Sequence, residues 1–547
     1  MVEKGFRKDV GSIPIEVKRM KKDEERFETD VLVLGSGLSG CMVALIAAKK
    51  GLHVTVITRS EEPEESSTKY AQGGIVAEVE NDSPELLEED ILRAGDGLCN
   101  PEAVKILANE GPRLVEELLI KELGIEFTKE AKGSFHVTKE AAHSCKRILH
   151  VDDATGRAIE SKLIEHLQKE PNIEIITNHS AVDLVTNTHH SKNPLAIYDE
   201  VTSMGAYVLD RKTKKIRTVL SKKTVLATGG IGQIYLHTTN PEGARGDGVA
   251  MAYRAGASII NAEFIQFHPT TFYKKGAERF LISESVRGEG AKLMNMKGDF
   301  FMKNYDEKFA DLAPRDVVAR SIHEEMVKDK DDYVLLDLSF LKKNNINIKK
   351  RFPNIYEQCL HYGIDITKEP IPVVPSAHYF CGGVKVDLWG RTNLKDLYSV
   401  GEVSCTGLHG ANRLASTSLL ECLVWGYRAG KDIIKTIDKK KSKDFSSIPL
   451  WDYTGLEEEV DPALIYQDWL DIKTTMWNYA GIVRTSKRLE RARADMDYLR
   501  HRIEQFYRRT LLTDSLVGLR NGILVALIVI NSALRNKRSM GCHYRKD

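Results

Sequence analysis

The sequence lacks the cysteine spacing that structural metal sites and clusters use. Its eight cysteines are scattered, and no two of them form a C-x-x-C pair. This spacing argues against a zinc site, an iron–sulfur cluster or a disulfide scaffold. We therefore expect a protein without a metal site that works in a reducing compartment, the cytoplasm.

An excess of charge of one sign is also missing, because 79 lysines and arginines stand against 78 aspartates and glutamates. No overall field attracts the chain to nucleic acid or to a membrane surface. The first thirty residues are charged and contain no apolar signal region. The longest apolar run, residues 523–530, is too short to cross a bilayer. We expect it to form a buried helix face, and we predict neither a nucleic-acid partner nor a membrane partner.

The stretch from Asp30 to Arg59 contains the most informative local pattern. An apolar run typical of a buried strand ends in Gly35-Ser36-Gly37-Leu38-Ser39-Gly40, helix formers follow, and a second strand-like run begins at Val54. A G-x-G-x-x-G turn between strand and helix of a βαβ unit is the pattern that holds a dinucleotide pyrophosphate at a helix N-terminus. Gly35 permits the tight turn, Gly37 the approach of the pyrophosphate, and Gly40 the close packing of helix on strand.

The second strand of this unit lacks the acid that usually holds the ribose of NAD. It ends in Thr58-Arg59, so the pattern disfavours NAD and leaves FAD and NADP open. A second glycine-rich strand end, residues 223–230, stands where a fold of two βαβ units needs close approach to the cofactor. Asp247, between two glycines, could cap a helix or bond a cofactor hydroxyl.

Changes of composition divide the chain into five segments. We predict a charged N-terminal extension (1–29), a dinucleotide-binding domain in two parts (30–256 and 378–435), an inserted α+β capping domain (257–377), and a linker with a C-terminal helical domain (436–547). The insertion is inferred because cofactor-type glycine patterns return only after it. The predicted fold is thus an α/β, Rossmann-like, two-βαβ domain with an inserted cap and a helical C-terminal domain.

Ten stretches, in family order over nearly the whole chain, resemble the fumarate reductase and succinate dehydrogenase flavoproteins. They are GSGLSG, SSTKYAQGGI, FHVTKEAAHS, VLATGG, FIQFHPTTFY, SESVRGEGA, LAPRDVVAR, VVPSAHYFCGGVKVD, SVGEVSCTGLHGANRLASTSLLE and GIVRTSKRLERA. Within that family the chain is most similar to the branch that oxidises L-aspartate.

The resemblance implies FAD as the cofactor. The residues that would contact it are Ser36, Gly37, Leu38, Ser39, Arg59, Ser67, Thr68, Lys69, Tyr70, Ala71, Gln72, Gly73, Gly74, Asp247, Glu402, Ser418 and Leu419. Succinate dehydrogenases bind FAD covalently through a histidine before the Gln-Gly-Gly loop, and Ser67 stands at that position here. Non-covalent FAD is therefore expected. Ser418 and Leu419 are expected at a helix N-terminus that faces the flavin ring.

The same resemblance implies a dicarboxylate site formed by His268, Arg287, His378 and Arg413. An arginine presents a planar fork that can bind a carboxylate through two bonds, so Arg413 is expected to clamp the substrate. Glu140 stands where the dicarboxylate reductases have an apolar residue. A carboxylate there could pair with the α-ammonium of aspartate and would repel a plain dicarboxylate.

The implied reaction is the oxidation of L-aspartate to iminosuccinate, with a hydride passing to flavin N5. Reoxidation by O2, giving H2O2, and reoxidation by fumarate both stay open. The family assigns the proton transfer to the counterpart of Arg287, although a guanidinium stays protonated to very high pH. Arg287 is therefore either a proton acceptor, helped by a neighbour such as Glu284, or only a charge stabiliser.

The implied biological role is the first step of de novo NAD biosynthesis, with quinolinate synthase as a candidate partner. Two other functions stay open at this point. A soluble fumarate reductase or succinate dehydrogenase flavoprotein would share most of the site, but Glu140 and Ser67 speak against it. A non-catalytic flavin-binding or assembly protein would be expected to lack Arg287 or Arg413, and both are present.

Overall fold

The computed structural model describes residues 25–79, 82–130, 132–140, 142–438, 443–454 and 459–547. Residues 1–24 of the predicted extension and 439–442 of the predicted linker lie outside the described residues. The strands in these ranges are β1 (Arg26–Leu34), β2 (Val54–Ile57), β3 (Ile75–Val76), β4 (Val137–Thr138), β5 (Ile148–Leu149), β6 (Ile173–Ile176), β7 (His179–Thr186), β8 (Ser203–Asp210), β9 (Ile216–Leu226), β10 (Ile259–Ile260), β11 (Ile265–Phe272), β12 (Lys292–Met294), β13 (Val334–Asp337), β14 (Ile371–Phe380), β15 (Gly383–Lys385), β16 (Leu397–Ser399), β17 (Ser404–Cys405), β18 (Val483–Arg484) and β19 (Tyr544–Arg545).

The α-helices in the same ranges are α1 (Leu38–Ala48), α2 (Pro84–Ala94), α3 (Pro101–Leu114), α4 (Thr155–Lys169), α5 (Asn187–His190), α6 (Asp247–Arg254), α7 (Glu284–Gly288), α8 (Arg315–Asp329), α9 (Ser339–Lys343), α10 (Ile348–Arg351), α11 (Pro353–His361), α12 (Ser418–Thr436), α13 (Pro462–Ala480), α14 (Ser486–Tyr507) and α15 (Asp514–Arg535). A π-helical turn, Val115–Glu122, continues α3.

A seven-stranded sheet carries the glycine turn. Its strand order is β6-β2-β1-β9-β8-β7, and β16 also pairs with β9. β1 runs parallel to β2 and to β9, whereas β8 and β7 continue the sheet antiparallel. The predicted βαβ unit, β1-α1-β2, is therefore confirmed. β1 begins at Arg26, so residues 26–29, predicted to belong to the extension, are part of the sheet.

Both faces of β1 are buried from Val31 to Leu34, as this continuous apolar run predicts for a parallel strand covered on two sides. Val31 and Val33 belong to the core that contains α1 and α12. Leu32 and Leu34 belong to the core that contains the apolar faces of α13, α14 and α15. The sheet is thus the middle layer between a layer that contains α1 and α12 and a layer formed by α13, α14 and α15.

A second, four-stranded antiparallel sheet lies within the segment predicted to be the cap. Its order is β11-β14-β13-β12, and it has its own apolar core with α7 and α8, which includes Phe272, Val286, Ile322 and Leu336. β14 ends at Phe380, three residues beyond the predicted limit of the cap. The domain limits themselves stay predictions.

By length and composition alone, α15 could cross a membrane, since its most apolar window has a mean hydropathy of 1.8. However, 72% of that window is buried inside the protein. The buried residues include Ile523, Leu527 and Ile530. The run 523–530 therefore forms a buried helix face, as predicted.

We predict that Gly40→Ala will lower the free energy of unfolding of the cofactor-free protein by about 1–3 kcal/mol, the usual cost of overpacking. A Cβ at Gly40 would lie 2.2 Å from the carbonyl oxygen of Gly35 and 3.1 Å from Cβ of Ala227, so α1 would have to move off the strand. Gly288→Ala is the control, because a Cβ there has no neighbour within 4 Å. Chemical denaturation measures both variants, and equal stabilities would contradict the packing argument.

Candidate active site

A cavity of about 1180 Å³ reaches from the carboxyl ends of β1 and β2 to the cap strands β11 and β14 and to the start of α12. All predicted cofactor residues line it except Gly40, which packs α1 against β1. Of the other predicted site residues, those in its wall are Glu140, His268, His378 and Arg413. One cavity therefore joins the predicted cofactor and substrate sites.

The glycine turn leaves the N-terminus of α1 facing this cavity. α1 begins at Leu38, and its N-cap Gly37 supplies no side-chain cap. Leu38 N–H donates to Thr68 Oγ1 at 3.1 Å, while N–H groups of a first helical turn have no partner inside the helix and attract anions. A Cβ on Gly37 would lie 3.3 Å from Thr68 Oγ1, so glycine keeps this gap open. The donor set fits a pyrophosphate.

Arg59, at the end of β2, is held by the C-terminal helix α15. Its Nε donates to the two oxygens of Asp514 at 3.0 and 3.2 Å. Asp247, also in the cavity wall, accepts from Arg245 at 2.7 Å and from Asn521 of α15 at 2.8 Å. Neither of these contacts with α15 was predicted from the sequence.

Glu402 lies in a 3-10 turn that follows β16. Its Oε1 accepts the Phe380 N–H at 2.9 Å, and Gly230 packs so closely that a Cβ there would lie 2.2 Å from the same oxygen. Burial raises the pKa of Glu402 to about 7. The carboxyl can therefore donate to a hydroxyl or accept from one near neutral pH, which fits the predicted contact with a cofactor ribose.

The N-terminus of α12 also opens into the cavity. The helix begins at Ser418, and Thr417 gives it no side-chain cap. Arg413 NH1 donates to Ser418 Oγ at 3.3 Å, and its guanidinium lies 4.4 Å from the centroid of the Tyr379 ring. Nε of Arg413 is buried without a partner among the described residues. Arg413 is therefore positioned by its neighbours and retains a donor for a ligand anion.

His268 on β11 and His378 on β14 lie side by side, with ring centroids 5.2 Å apart. Burial lowers the pKa of both rings well below the ordinary value, so both are neutral at neutral pH. Nδ1 of His268 accepts the Thr270 N–H at 3.2 Å, which puts the ring proton on Nε2. That Nε2 has no partner in the described structure. His268 therefore offers one N–H donor to a carboxylate.

Glu140, Glu284 and Arg315 form a buried charged cluster in the same wall. Arg315 Nε donates to Glu284 Oε2 at 2.6 Å. Glu140 accepts from Ser416 Oγ at 2.6 Å. Burial, reinforced by the charge of Glu284, raises the pKa of Glu140. The neighbouring arginines thus compensate its burial only in part, and a ligand ammonium would stabilise the carboxylate further.

Arg287 does not line the cavity, although its buried Nε and NH2 have no partner among the described residues, and its role in proton transfer stays a prediction. It is 1% exposed, its NH1 donates to the backbone carbonyl of Asp311, and it lines neither this cavity nor the smaller one next to it. Arg315, from the LAPRDVVAR stretch, lies in the cavity wall instead. Sequence reasoning missed Arg315 because an arginine at the start of the charge-rich helix α8 has the pattern of a surface ion-pair former.

A second cavity, of about 480 Å³, meets the first at this cluster. Glu284, Arg315 and Arg413 line both cavities. Much of the rest of its wall comes from α8, from the end of α2, from residues 412–415 and from residues between 539 and 544. Arg315 is therefore accessible from two sides.

Comparison with known proteins gives matches along most of the chain. A family model described as FAD binding domain matches residues 30–419, and one described as fumarate reductase flavoprotein C-term matches residues 469–547. The chain is 44% identical to L-aspartate oxidase 1 of Ralstonia nicotianae over 521 residues, 95% of each chain. It is 41% identical to the chloroplastic L-aspartate oxidase of Oryza sativa subsp. japonica, covering 99% of this chain and 85% of that protein.

Solved structures agree with these matches. A chain of E. coli quinol fumarate reductase superposes with a TM-score of 0.84 at 28% identity, covering 96% of this chain and 92% of that chain. Adenylylsulfate reductase from Archaeoglobus fulgidus, 18% identical with a TM-score of 0.72, covers 95% of this chain and 91% of its own. The second likeness shows a shared fold.

The buried carboxyl of Glu402 predicts a pH dependence of stability in the cofactor-free protein. Its pKa rises from 4.5 to about 7 on folding, so in that range the folded chain binds more protons than the unfolded chain. The free energy of unfolding must then fall as the pH rises. We expect Glu402→Gln to remove this fall and to be more stable than the wild type at pH 8 by up to about 3 kcal/mol. In urea denaturation the difference should shrink toward pH 4.5, and a difference independent of pH would contradict the assignment.

Proposed function

The chain belongs to the L-aspartate oxidase family, within the fumarate reductase and succinate dehydrogenase flavoproteins, and from that premise we propose that it oxidises L-aspartate to iminosuccinate with FAD. This reaction is the first step of NAD biosynthesis. The observation that carries the proposal is the buried Glu140 in the same cavity wall as Arg413 and the two histidines.

FAD in the large cavity would supply a two-electron acceptor for the hydride of the substrate Cα. The open helix end at Gly37 and Leu38 fits its pyrophosphate, Arg59 and Asp247 its adenine–ribose end, and the N-terminus of α12 the flavin ring. We propose that FAD is bound non-covalently, because Ser67 has no ring nitrogen with which to form the histidyl bond. We also propose that the dinucleotide-binding domain has a Rossmann-like fold of two βαβ units and that the domains have the limits predicted from the sequence.

The substrate would be bound by groups of matching charge. Arg413 and the neutral N–H of His268 would hold carboxylate oxygens, with His378 beside them, and Glu140 would pair with the α-ammonium. The charges of Glu140 and Glu284 offset those of Arg315 and Arg413 in this part of the cavity wall. L-aspartate carries a net charge of −1 and succinate −2, and only L-aspartate has an ammonium that can pair with Glu140.

The proton released during oxidation would pass to Arg315, which lines the cavity, and not to Arg287. Burial lowers the pKa of Arg315, but Glu284 and Glu140 outweigh burial and the pKa is raised. Arg315 therefore starts protonated and can accept a proton only while giving one to Glu284, 2.6 Å away. The second cavity, which both residues line, offers the proton a way to solvent that avoids the substrate.

The resemblance alone supports the remaining parts of the proposal. They are O2 or fumarate as the final electron acceptor, H2O2 as the product with O2, quinolinate synthase as a partner that consumes iminosuccinate, and a cytoplasmic location.

Anaerobic addition of L-aspartate should bleach the flavin absorption of the purified protein, and air should restore it with formation of peroxide. Succinate, added in parallel, should bleach it far less. Glu140→Gln should reduce this preference, because it removes the charge that pairs with the ammonium. Bleaching by succinate alone would identify a dicarboxylate dehydrogenase or fumarate reductase. Absence of bound flavin would contradict the proposal that the protein uses FAD.

Arg315→Lys should lower kcat by about 10²–10⁴-fold, the usual contribution of proton transfer by a positioned group. Lysine keeps the charge but cannot keep both bonds of the guanidinium, to Glu284 and to Gln266. Arg287→Lys is the matched control, and we expect it to lose less than tenfold, since Arg287 does not line the cavity. The rate of anaerobic flavin reduction measures both, with the flavin spectrum as a check of folding. Equal losses would restore Arg287 as a candidate for the proton transfer.

A further inference from the structure

The first residue of α15 lies one layer outside the cofactor cavity. Asp514 follows the N-cap Thr513 and does not line the cavity. Its Oδ1 accepts from Ser180 Oγ at 2.7 Å and from Arg245 NH2 at 3.0 Å, and its Oδ2 accepts from Arg59 Nε at 3.0 Å. One carboxylate thus ties together groups from three separate parts of the dinucleotide-binding segment.

Two of these partners, Arg59 and Ser180, do line the cavity, at the end of it that remains for the adenine and its ribose. The start of α1 would hold the pyrophosphate of FAD and the start of α12 would face its flavin ring. Arg59 stands at the end of β2, where dinucleotide folds hold the ribose. The orientation of this side chain therefore decides how the adenine half of FAD is bound.

Asp514 is also what allows several cations to lie close together here. Arg245 and Arg59 bind it directly, and Nε of Arg211 lies 3.6 Å from its Oδ2. Burial alone would raise the pKa of Asp514, but Arg245 and Arg59 outweigh burial and lower it, so the group is ionised. Without the charge of Asp514, Asp247 would be the carboxylate that remains beside Arg59, Arg211 and Arg245. Repulsion among these three arginines would then displace Arg59.

We propose that Asp514 is a positioning residue for the cofactor, and that through it the binding of FAD and the docking of α15 stabilise each other. The inference rests on the proposed binding of FAD. It adds a residue of the C-terminal helical part, 455 positions from Arg59, to the determinants of cofactor affinity. Because coupling between two binding events is reciprocal, FAD must protect α15 from local opening as strongly as docked α15 improves FAD affinity.

A matched control separates this role from simple docking of the helix. Asp183 on β7 also binds α15, through Arg520 NH1 at 3.4 Å, and it accepts from Arg254 Nε at 3.1 Å. None of these three residues lines the cavity. Asp183→Asn therefore weakens the attachment of α15 without removing a direct hydrogen bond to a residue that lines the cavity.

The experiment compares the wild type, Asp514→Asn and Asp183→Asn by titrating each cofactor-free protein with FAD and following flavin fluorescence. We expect Asp514→Asn to raise the Kd for FAD about tenfold or more, the scale of a lost hydrogen bond to a charged group. Asp183→Asn should change the Kd less than about twofold. At saturating FAD, the KM for L-aspartate should be the same in all three proteins.

Hydrogen–deuterium exchange of the same three proteins tests the reciprocal effect. FAD should slow amide exchange in residues 514–521 of the wild type and of Asp183→Asn, but much less in Asp514→Asn. Equal increases of Kd in the two variants, no increase in Asp514→Asn, or exchange in the wild type that FAD does not change would overturn the inference. A wild type that does not bind FAD would instead overturn the proposed function.

Discussion

The buried ion pair between Arg315 and Glu284 determines what the active site can do. Charges taken out of water are costly unless they are paired, and these two are joined at 2.6 Å where two cavities meet. Glu140, in the same wall, is only partly compensated, as its raised pKa shows. The carboxylate of Glu140 thus lacks a full cationic partner within the protein, and the ammonium of an amino-acid substrate supplies that partner.

This arrangement gives a physical reason why two branches of one fold would prefer different substrates. A site of arginines and neutral histidines suits a dianion, whereas an added carboxylate lowers its positive charge by one and creates a place for an ammonium. In this chain the added carboxylate is Glu140, one side chain on the segment after β4. The superposition on quinol fumarate reductase, with a TM-score of 0.84, shows how closely the rest of the architecture is kept.

Local pattern was sufficient to predict the elements around the glycine turn. The run Val31–Leu34 is buried on both faces, and Gly35 and Gly40 each stand where a Cβ would collide with backbone. Arg287 and Arg315 show the limit of such reasoning. Arg287 lies at the end of α7 and Arg315 at the start of α8, and the sequence alone does not indicate which of the two lines the cavity. The partner of Arg59 could not be predicted either, because contacts between distant parts of a chain leave no periodicity in the sequence.

The contact between Arg59 and Asp514 also constrains when the protein can become functional during its synthesis. The first strand and the glycine turn are synthesised well before the carboxylate that orders Arg59, which lies 455 residues after Arg59 in the chain. At 5–20 residues per second, translation from Arg59 to Asp514 takes roughly 20 to 90 seconds. A nascent chain in that interval has the phosphate-binding turn without an ordered adenine end. Tight retention of FAD should therefore follow the synthesis and docking of α15, and it depends on a supply of free cofactor at that moment.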